Sequence, residues 1–353
     1  MSGARSVAII GAGIGAQHLS GYLALPDQFR VSAICDLDRE RAGPLCERAG
    51  ARYIADINDV LADEEIDIVD ICLPPHLHFD AATAALKADK DVIVEKPMVA
   101  SLRDADALAE VTRATGRSVF PVFQYRFGPA ASQLRALQAA ELTGRAYVAT
   151  LETHWNRGAD YYATPWRGTW AGEQGGAVLG HAIHIHDWVC GVLGPVASVH
   201  AELATQVNEI ETEDCGALAM RMGCGAVVTS SITLGAAQDT SRMRFVFERL
   251  TAESGRLPYA PAEDDWRFTA RDPGDQAEID RVVATAGAAH SGFAGLFAEV
   301  AKALDGEDHH AVTLEDGRRS LEFVTAVYDS ARRGVRVSLP LGADHALYGG
   351  WQP

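Results

Sequence analysis

No two of the six cysteines (Cys35, Cys46, Cys72, Cys190, Cys215 and Cys224) stand at Cys-x-x-Cys spacing. That argues against a zinc site and offers no disulfide framework. Each is expected to be a small buried apolar residue of a protein in a reducing cytoplasm. Basic residues are also short: 31 Lys and Arg face 48 Asp and Glu, a formal net charge of −17. Nucleic acid and anionic membrane surfaces are therefore not expected as partners, since both demand clustered cations. Long apolar runs are missing too. The first is only Val7 to Ile10 before a glycine loop, so a secretory leader is not expected there, and no later run would span a bilayer. Neither an internal repeat nor a low-complexity tract occurs. What remains is a chain of 353 residues, 48% hydrophobic and 22% charged. That is too long for one ordinary core and predicts two domains.

The first 123 residues alternate short apolar runs with helical patterns. Strands are predicted at Ser6–Ile10, Arg30–Cys35, Ile66–Leu73, Asp91–Val94 and Ser118–Phe123, and helices at Ala16–Leu25, Leu37–Ala49, His76–Lys87 and Ser101–Thr115. Ser101 with Asp104 reads as a capping box, and Gly116 as the stop. This order predicts a parallel, doubly covered sheet of Rossmann type over residues 1–123. From residue 124 to 353 the pattern changes. After a helix at Gly128–Ala140 come alternating runs at Ala146–His154, Val196–Thr205, Asp214–Met222 and Ala226–Leu234, the last two joined by the hairpin turn Gly223-Cys224-Gly225. Helices Phe293–Leu304 and Leu314–Arg332 and a strand Val335–Leu339 close the chain. The second domain is thus expected to be α+β, with a large, mainly antiparallel, open sheet. Residues 236–291, rich in Asp, Gly and Pro, read as a lid or a surface excursion.

Gly11-Ala12-Gly13-Ile14-Gly15-Ala16 lies between the first strand and the first helix, where a phosphate-binding turn belongs. Gly11 would permit the tight turn and Gly13 the approach of a pyrophosphate. Either Ala16 or Gly15 would let helix and strand pack closely. Free N–H groups at the helix start favour an anion. Asp36 ends the next strand, where an acid would accept from the ribose hydroxyls and repel a 2′-phosphate, so NAD is favoured over NADP. Arg39 and Arg41 follow and would temper that repulsion.

Two further segments carry the chemistry. One runs Ile68-Val69-Asp70-Ile71-Cys72-Leu73-Pro74-Pro75-His76-Leu77-His78 and continues at Glu95-Lys96-Pro97. The other is Trp166-Arg167-Gly168-Thr169-Trp170, then Glu173-Gln174-Gly175-Gly176, then His181-Ala182-Ile183-His184-Ile185-His186-Asp187. With the glycine turn, and over nearly the whole chain, these resemble the Gfo/Idh/MocA family of oxidoreductases. The resemblance places Lys96 beside the nicotinamide and the reacting hydroxyl, where an ammonium would polarise the oxygen. Glu95 would orient Lys96, and a cis bond is expected before Pro97. His184 matches the family's proton-transfer histidine, a role that suits a group titrating near neutrality. Asp187 would orient His184 or bind a substrate hydroxyl. Many relatives carry Asp or Asn four residues before that histidine; here stands Gly180, with His181 as the expected substitute.

The same resemblance puts Gly11, Gly13, Ile14, Gly15, Asp36, Arg41, Leu73, Pro74, His78, Glu95, Lys96, Gln124, Trp166 and Arg167 at the cofactor. Gln124 would meet the nicotinamide amide. A sugar or polyol would lie against Lys96, Arg126, Trp155, Asn156, Arg157, Tyr161, Trp170, His181 and His184, with Asp160 and Tyr162 nearby. Aromatic faces would cover C–H surfaces while polar groups bind hydroxyls. A metal site at His181, His184, His186 and Asp187 is the rival reading. The spacing is not His-Glu-x-x-His and no distant ligand cluster is evident, so no metal is expected. His186 reads as a packed helix residue and His309-His310 as solvated surface. The expected reaction is hydride transfer between NAD(H) and a hydroxyl-bearing carbon of a sugar, inositol or related polyol. A redox-neutral enzyme with retained NAD and a non-catalytic NAD-binding regulator are the alternatives. The open sheet predicts a homodimer or homotetramer.

Overall fold

Burial on both faces decides the first sheet. In the computed structural model, which describes residues 3–287 and 290–353, its strands are β1 (Arg5–Ile10), β2 (Phe29–Cys35), β3 (Arg52–Ile54), β4 (Ile68–Ile71), β5 (Asp91–Val94) and β6 (Val119–Pro121). They lie in the order β3-β2-β1-β4-β5-β6, all parallel. Helices α1 (Gly15–Leu23), α2 (Arg39–Ala49), α3 (Ile57–Leu61), α4 (His78–Lys87) and α5 (Leu102–Thr115) intervene. Strand order reverses at the β1/β4 pair, which opens a crevice at their carboxyl ends. Local chemistry sets the helix limits. Ser101 accepts from the Asp104 amide at the start of α5, and Gly116 ends it at φ +71°. Asp38 caps α2, so Asp36 is left for other work.

The second sheet contains β7 (Ala146–Asn156), β8 (Val196–Ala204), β9 (Cys215–Met222), β10 (Val227–Thr233), β11 (Gly235–Phe247), β12 (Leu250–Glu253), β13 (Arg267–Ala270) and β14 (Val337–Ser338). The order is β13-β12-β11-β7-β10-β9-β8-β14. Only β7 and β10 pair in parallel; the other ladders are antiparallel. Strict alternation of buried and exposed residues along β9 and β10 gives this sheet one packed and one open face. Its helices are α6 (Pro129–Ala139), α7 (Ala159–Tyr162), α8 (Ile183–Leu193) and α9 (Gln276–Thr285), followed by α10 (Gly292–Asp305) and α11 (Leu314–Arg333).

Two compact units result: Met1–Val122 with Phe293–Arg318, and Phe123–Gly292 with Arg319–Pro353. The chain therefore re-enters the first unit at α10, a return that a single boundary at residue 124 leaves out. The stretch 236–291 is not a lid. It supplies β11, β12, β13 and α9, and β11 pairs with the central strand β7. Residues 288 and 289 of that stretch lie outside the described residues.

Candidate active site

The glycine turn is built by close approach at two positions and open space at a third. Gly11 adopts φ +102°, and a Cβ there would lie 2.4 Å from the Cys72 carbonyl oxygen. A Cβ on Gly15 would lie 2.7 Å from Ile9 Cγ2, so Gly15 rather than Ala16 provides the tight helix–strand contact. Gly13 has nothing within 4 Å of the position its Cβ would take. That cradle, with no side chain capping the start of α1, fits a pyrophosphate. Asp36 accepts from the Ala12 amide at 2.6 Å, the Asp38 amide at 2.8 Å and Arg41 Nη2 at 2.8 Å. Burial alone would raise its pKa, but Arg41 and the two amides hold the carboxyl below its ordinary value. An ionised acid at this strand end fits the ribose hydroxyls.

Leu73 and Pro74 follow β4 at the same sheet end. His78, expected at the cofactor, is placed otherwise. It is fully buried, with its ring nitrogens 2.7 Å from the Pro97 carbonyl oxygen and 2.8 Å from that of Leu73. It braces the loops after β4 and β5. Lys96 stands two residues past β5, half-buried, and the Lys96–Pro97 bond is cis. Its backbone N–H donates to Glu95 Oε2 at 3.0 Å.

Beneath Glu95 lies a polar cluster that motif reading passed over. His18 Nδ1 is 2.8 Å from Asp70 Oδ2, and His18 Nε2 is 3.1 Å from Glu95 Oε1. The Tyr22 hydroxyl donates to Asp70 Oδ2 at 3.0 Å. Cys72 Sγ lies 3.4 Å from His18 Nδ1. His18, Asp70 and Cys72 have ligand atoms within 4.8 Å of one another. Yet burial pushes the Cys72 thiol up to about 12, so the sulfur keeps its proton and the groups satisfy each other. Burial opposes a charge on His18, but Asp70 and its hydrogen bond outweigh it and hold the imidazole pKa well above its usual value.

In the second unit, the paired glycines seat the helix that bears the histidines. A Cβ on Gly176 would lie 1.9 Å from the Glu213 carbonyl oxygen, and one on Gly175 would lie 2.6 Å from the Tyr328 hydroxyl. The Glu213 carboxyl accepts from Gly176 N at 3.1 Å, Val178 N at 3.0 Å and the Tyr328 hydroxyl at 3.0 Å. Burial pushes the pKa of Glu213 up to about 7 against these donors. The segment Val178–Ala182 is a π-helical turn that runs into α8, a distortion frequent at functional sites. It carries His181, which meets Trp155 edge-on at 5.2 Å and Tyr161 at 5.7 Å between ring centroids. His184 stacks on Tyr125 at 4.6 Å and meets Phe123 edge-on. Both histidines are buried. A Cβ at Gly180 would meet only Glu173 Oε1, at 3.8 Å, so a buried carboxylate already occupies that side.

Other expectations change. Asp187 pairs with Arg126 in a part-buried fork, Oδ2 accepting from Nε at 2.6 Å and Oδ1 from Nη2 at 2.5 Å. The fork holds the Arg126 guanidinium against α8. Trp170 packs on Tyr328 at 5.6 Å, and its amide donates to Glu211, so it supports the Glu213 cluster. Arg157 covers Trp155, Tyr161 and Tyr259 and pairs with Asp239 at 2.9 Å. Arg167 lies over Tyr161 and Trp166. Asn156 is exposed and its backbone N–H donates to Asp239, while Asp160 is exposed and Tyr162 half-exposed beside Tyr161. Gln124 Oε1 is a buried acceptor without a hydrogen-bond partner among the described residues, which fits a ligand amide. His186 is a packed helix residue: it bonds Ser230, and burial lowers its pKa to about 3.

Comparisons with known proteins agree with this architecture. A family model for the oxidoreductase family with an NAD-binding Rossmann fold, GFO/IDH/MocA, matches residues 5–123, and the GFO/IDH/MocA C-terminal domain model matches residues 131–253. An uncharacterized oxidoreductase of Synechocystis sp. is 30% identical over 215 residues, 58% of this chain and 55% of its own. The inositol 2-dehydrogenase of Rubrobacter xylanophilus is 31% identical over 157 residues, 44% of each chain. The chain thus matches about half the length of these curated relatives. The WlbA dehydrogenase of Chromobacterium violaceum, solved with NADH and UDP-GlcNAcA, superposes with a TM-score of 0.85 at 28% identity, over 97% of this chain and 98% of that one. The first unit is an NAD-binding Rossmann domain, and the chain belongs to the Gfo/Idh/MocA family of oxidoreductases.

Proposed function

We propose that this chain is an NAD-dependent dehydrogenase acting on a carbon-bound hydroxyl of a sugar, an inositol or a related polyol. The observation that carries the reading is the pair of buried histidines, His181 against Trp155 and Tyr161 and His184 against Tyr125. A proton acceptor beside aromatic faces suits a hydroxylated ring. NAD, when bound, supplies the hydride acceptor. Lys96 donates a hydrogen bond to the reacting oxygen and steadies its negative charge as the proton departs. A ring nitrogen of His184 takes that proton, with His181 three residues before it. Arg157 and Arg167, spread over aromatic rings, shape the approach. A relative named inositol 2-dehydrogenase and the WlbA dehydrogenase solved with UDP-GlcNAcA support the substrate class.

The test is a screen with NAD and NADP against sugars, inositols and nucleotide-linked sugar acids, read as absorbance at about 340 nm. Formation of NADH with at least one of them is expected. Silence across the panel, with NAD binding measured, would overturn the reading. The open sheet face, with Val148 and Val227 each 42% exposed, is proposed to pair two copies about a two-fold axis. Light scattering at micromolar concentration should give a dimer or tetramer mass; a monomer mass would contradict it.

A further inference from the structure

The first unit buries charge where a parallel sheet would ordinarily bury aliphatic side chains. His18, Asp70 and Cys72 are all buried, and Tyr22 closes the far end. Phe293 and Phe297 of α10 seal the cluster: their rings lie 4.5 Å and 5.6 Å from that of His18, and Phe297 stacks on Tyr22 at 3.9 Å. Such a cluster costs desolvation energy that well-packed apolar residues would avoid. Its geometry points one way. Asp70 fixes one ring nitrogen of His18, and the other faces Glu95 Oε1. The second oxygen of Glu95 accepts the backbone N–H of Lys96.

We propose that His18 is a positioning residue. Held between Asp70 and Glu95, it fixes the Glu95 carboxylate and so sets both the backbone and the electrostatic field from which Lys96 works. With an imidazolium, the Asp70–His18–Glu95 chain carries one net negative charge; without it, the chain carries two, one of them on Glu95 beside the Lys96 backbone. The direction of the His18 shift, raised by Asp70 against the cost of burial, agrees with the cation. This inference rests on the reading of Lys96 as the group that meets the reacting oxygen.

Lys96 can be observed without any substrate, because the chain has only four lysines: Lys87, Lys90, Lys96 and Lys302. Competitive acetylation of the full chain by acetic anhydride, quantified per lysine by mass spectrometry, reads each one. Lys87 and Lys302 are the accessible references. Lys90 is a sentinel for loosening, since it is 5% exposed and its Nζ donates to the Asp63 carbonyl oxygen. In His18→Gln the uncompensated carboxylates should hold the proton on Lys96 and slow its labelling about threefold. In Glu95→Gln, which keeps an acceptor for the Lys96 amide but removes a charge, labelling should rise about threefold. Opposite shifts with Lys90 unchanged support the proposal. A wild-type rate at Lys96 in both variants overturns it, as does a parallel rise of Lys96 and Lys90, which would mark a role in holding the fold alone. Should His18→Gln fail to fold, the Glu95→Gln shift decides. Turnover by Lys96→Ala would instead defeat the catalytic reading of Lys96, and it would leave the labelling result standing.

Discussion

Each unit buries a carboxylate under the element that carries its candidate chemistry, and the two solve the problem differently. The first places a cation among anions: His18 sits between Asp70 and Glu95, below Lys96. The second surrounds Glu213 with backbone amides and a phenol, below the turn that leads to His181 and His184. The first arrangement keeps its charges in the dry interior by mutual attraction. The second has no cation among these contacts, and burial drives Glu213 toward its neutral form. A charged chain transmits changes along its length, whereas amide donors fix a shape.

Removing His18 should therefore have the largest effect on stability. His18→Leu leaves buried carboxylates uncompensated and is expected to cost about 3–5 kcal/mol in urea unfolding at pH 7. A loss below about 1 kcal/mol would erase the contrast between the units. Glu213→Gln should act less and through pH. The folded pKa is raised from 4.5 to about 7, so the fold holds this proton more tightly than the unfolded chain. The stability this contributes is complete below pH 4.5 and is lost as pH rises through about 7. Glu213→Gln should remove that slope, about 3 kcal/mol, from wild-type unfolding curves taken across the window. His18 is also raised, so its share fades only above its ordinary value of 6.5, on the alkaline side. An unchanged slope in the Gln variant would place the titration elsewhere.

Glycines sharpen the same comparison. Gly176 is packed, whereas Gly13 is open. Gly13→Ala should leave the melting temperature within about a degree yet weaken NAD binding about tenfold by calorimetry, since a methyl group would enter the pyrophosphate cradle. The smallest effect is expected at Arg41, whose guanidinium covers Asp36. Arg41→Ala uncovers the carboxylate and should disfavour NADP by a further factor of about three, with NAD affinity little changed. Equal losses for both cofactors would assign Arg41 to general binding.

Much of the first unit was legible in the sequence because its signals are local. Asp91–Val94 is a strand at the limits its apolar run suggests, and the Ser101 cap and Gly116 stop frame α5 as read. Strand β3 and helix α3 were not, being too short to show a period. Strand β11 was hidden by polar residues on its outer face and by a register shift between Gly235 and Thr240. Its alternation of buried Met243, Phe245 and Phe247 was nonetheless available. In the site, the glycine turn, Asp36, Lys96 and the two histidines stood out by motif. His18, Asp70, Glu213 and Tyr328 did not, because their meaning lies in contacts far apart in the chain. A histidine three residues past Gly15, and an aspartate inside an otherwise aliphatic strand, were the available hints. The Arg126 partner of Asp187 was out of reach for the same reason, since it lies 61 residues away in the chain.

The central claim is the proposed hydride transfer, in which Lys96 holds the reacting oxygen and His184 takes its proton. Its most direct test is the rate of NADH formation at about 340 nm on the best substrate of the screen, for the wild type, Lys96→Ala and His184→Ala. The account predicts that each variant loses about 10²-fold or more in kcat while still binding NADH. Wild-type turnover by either variant would contradict it.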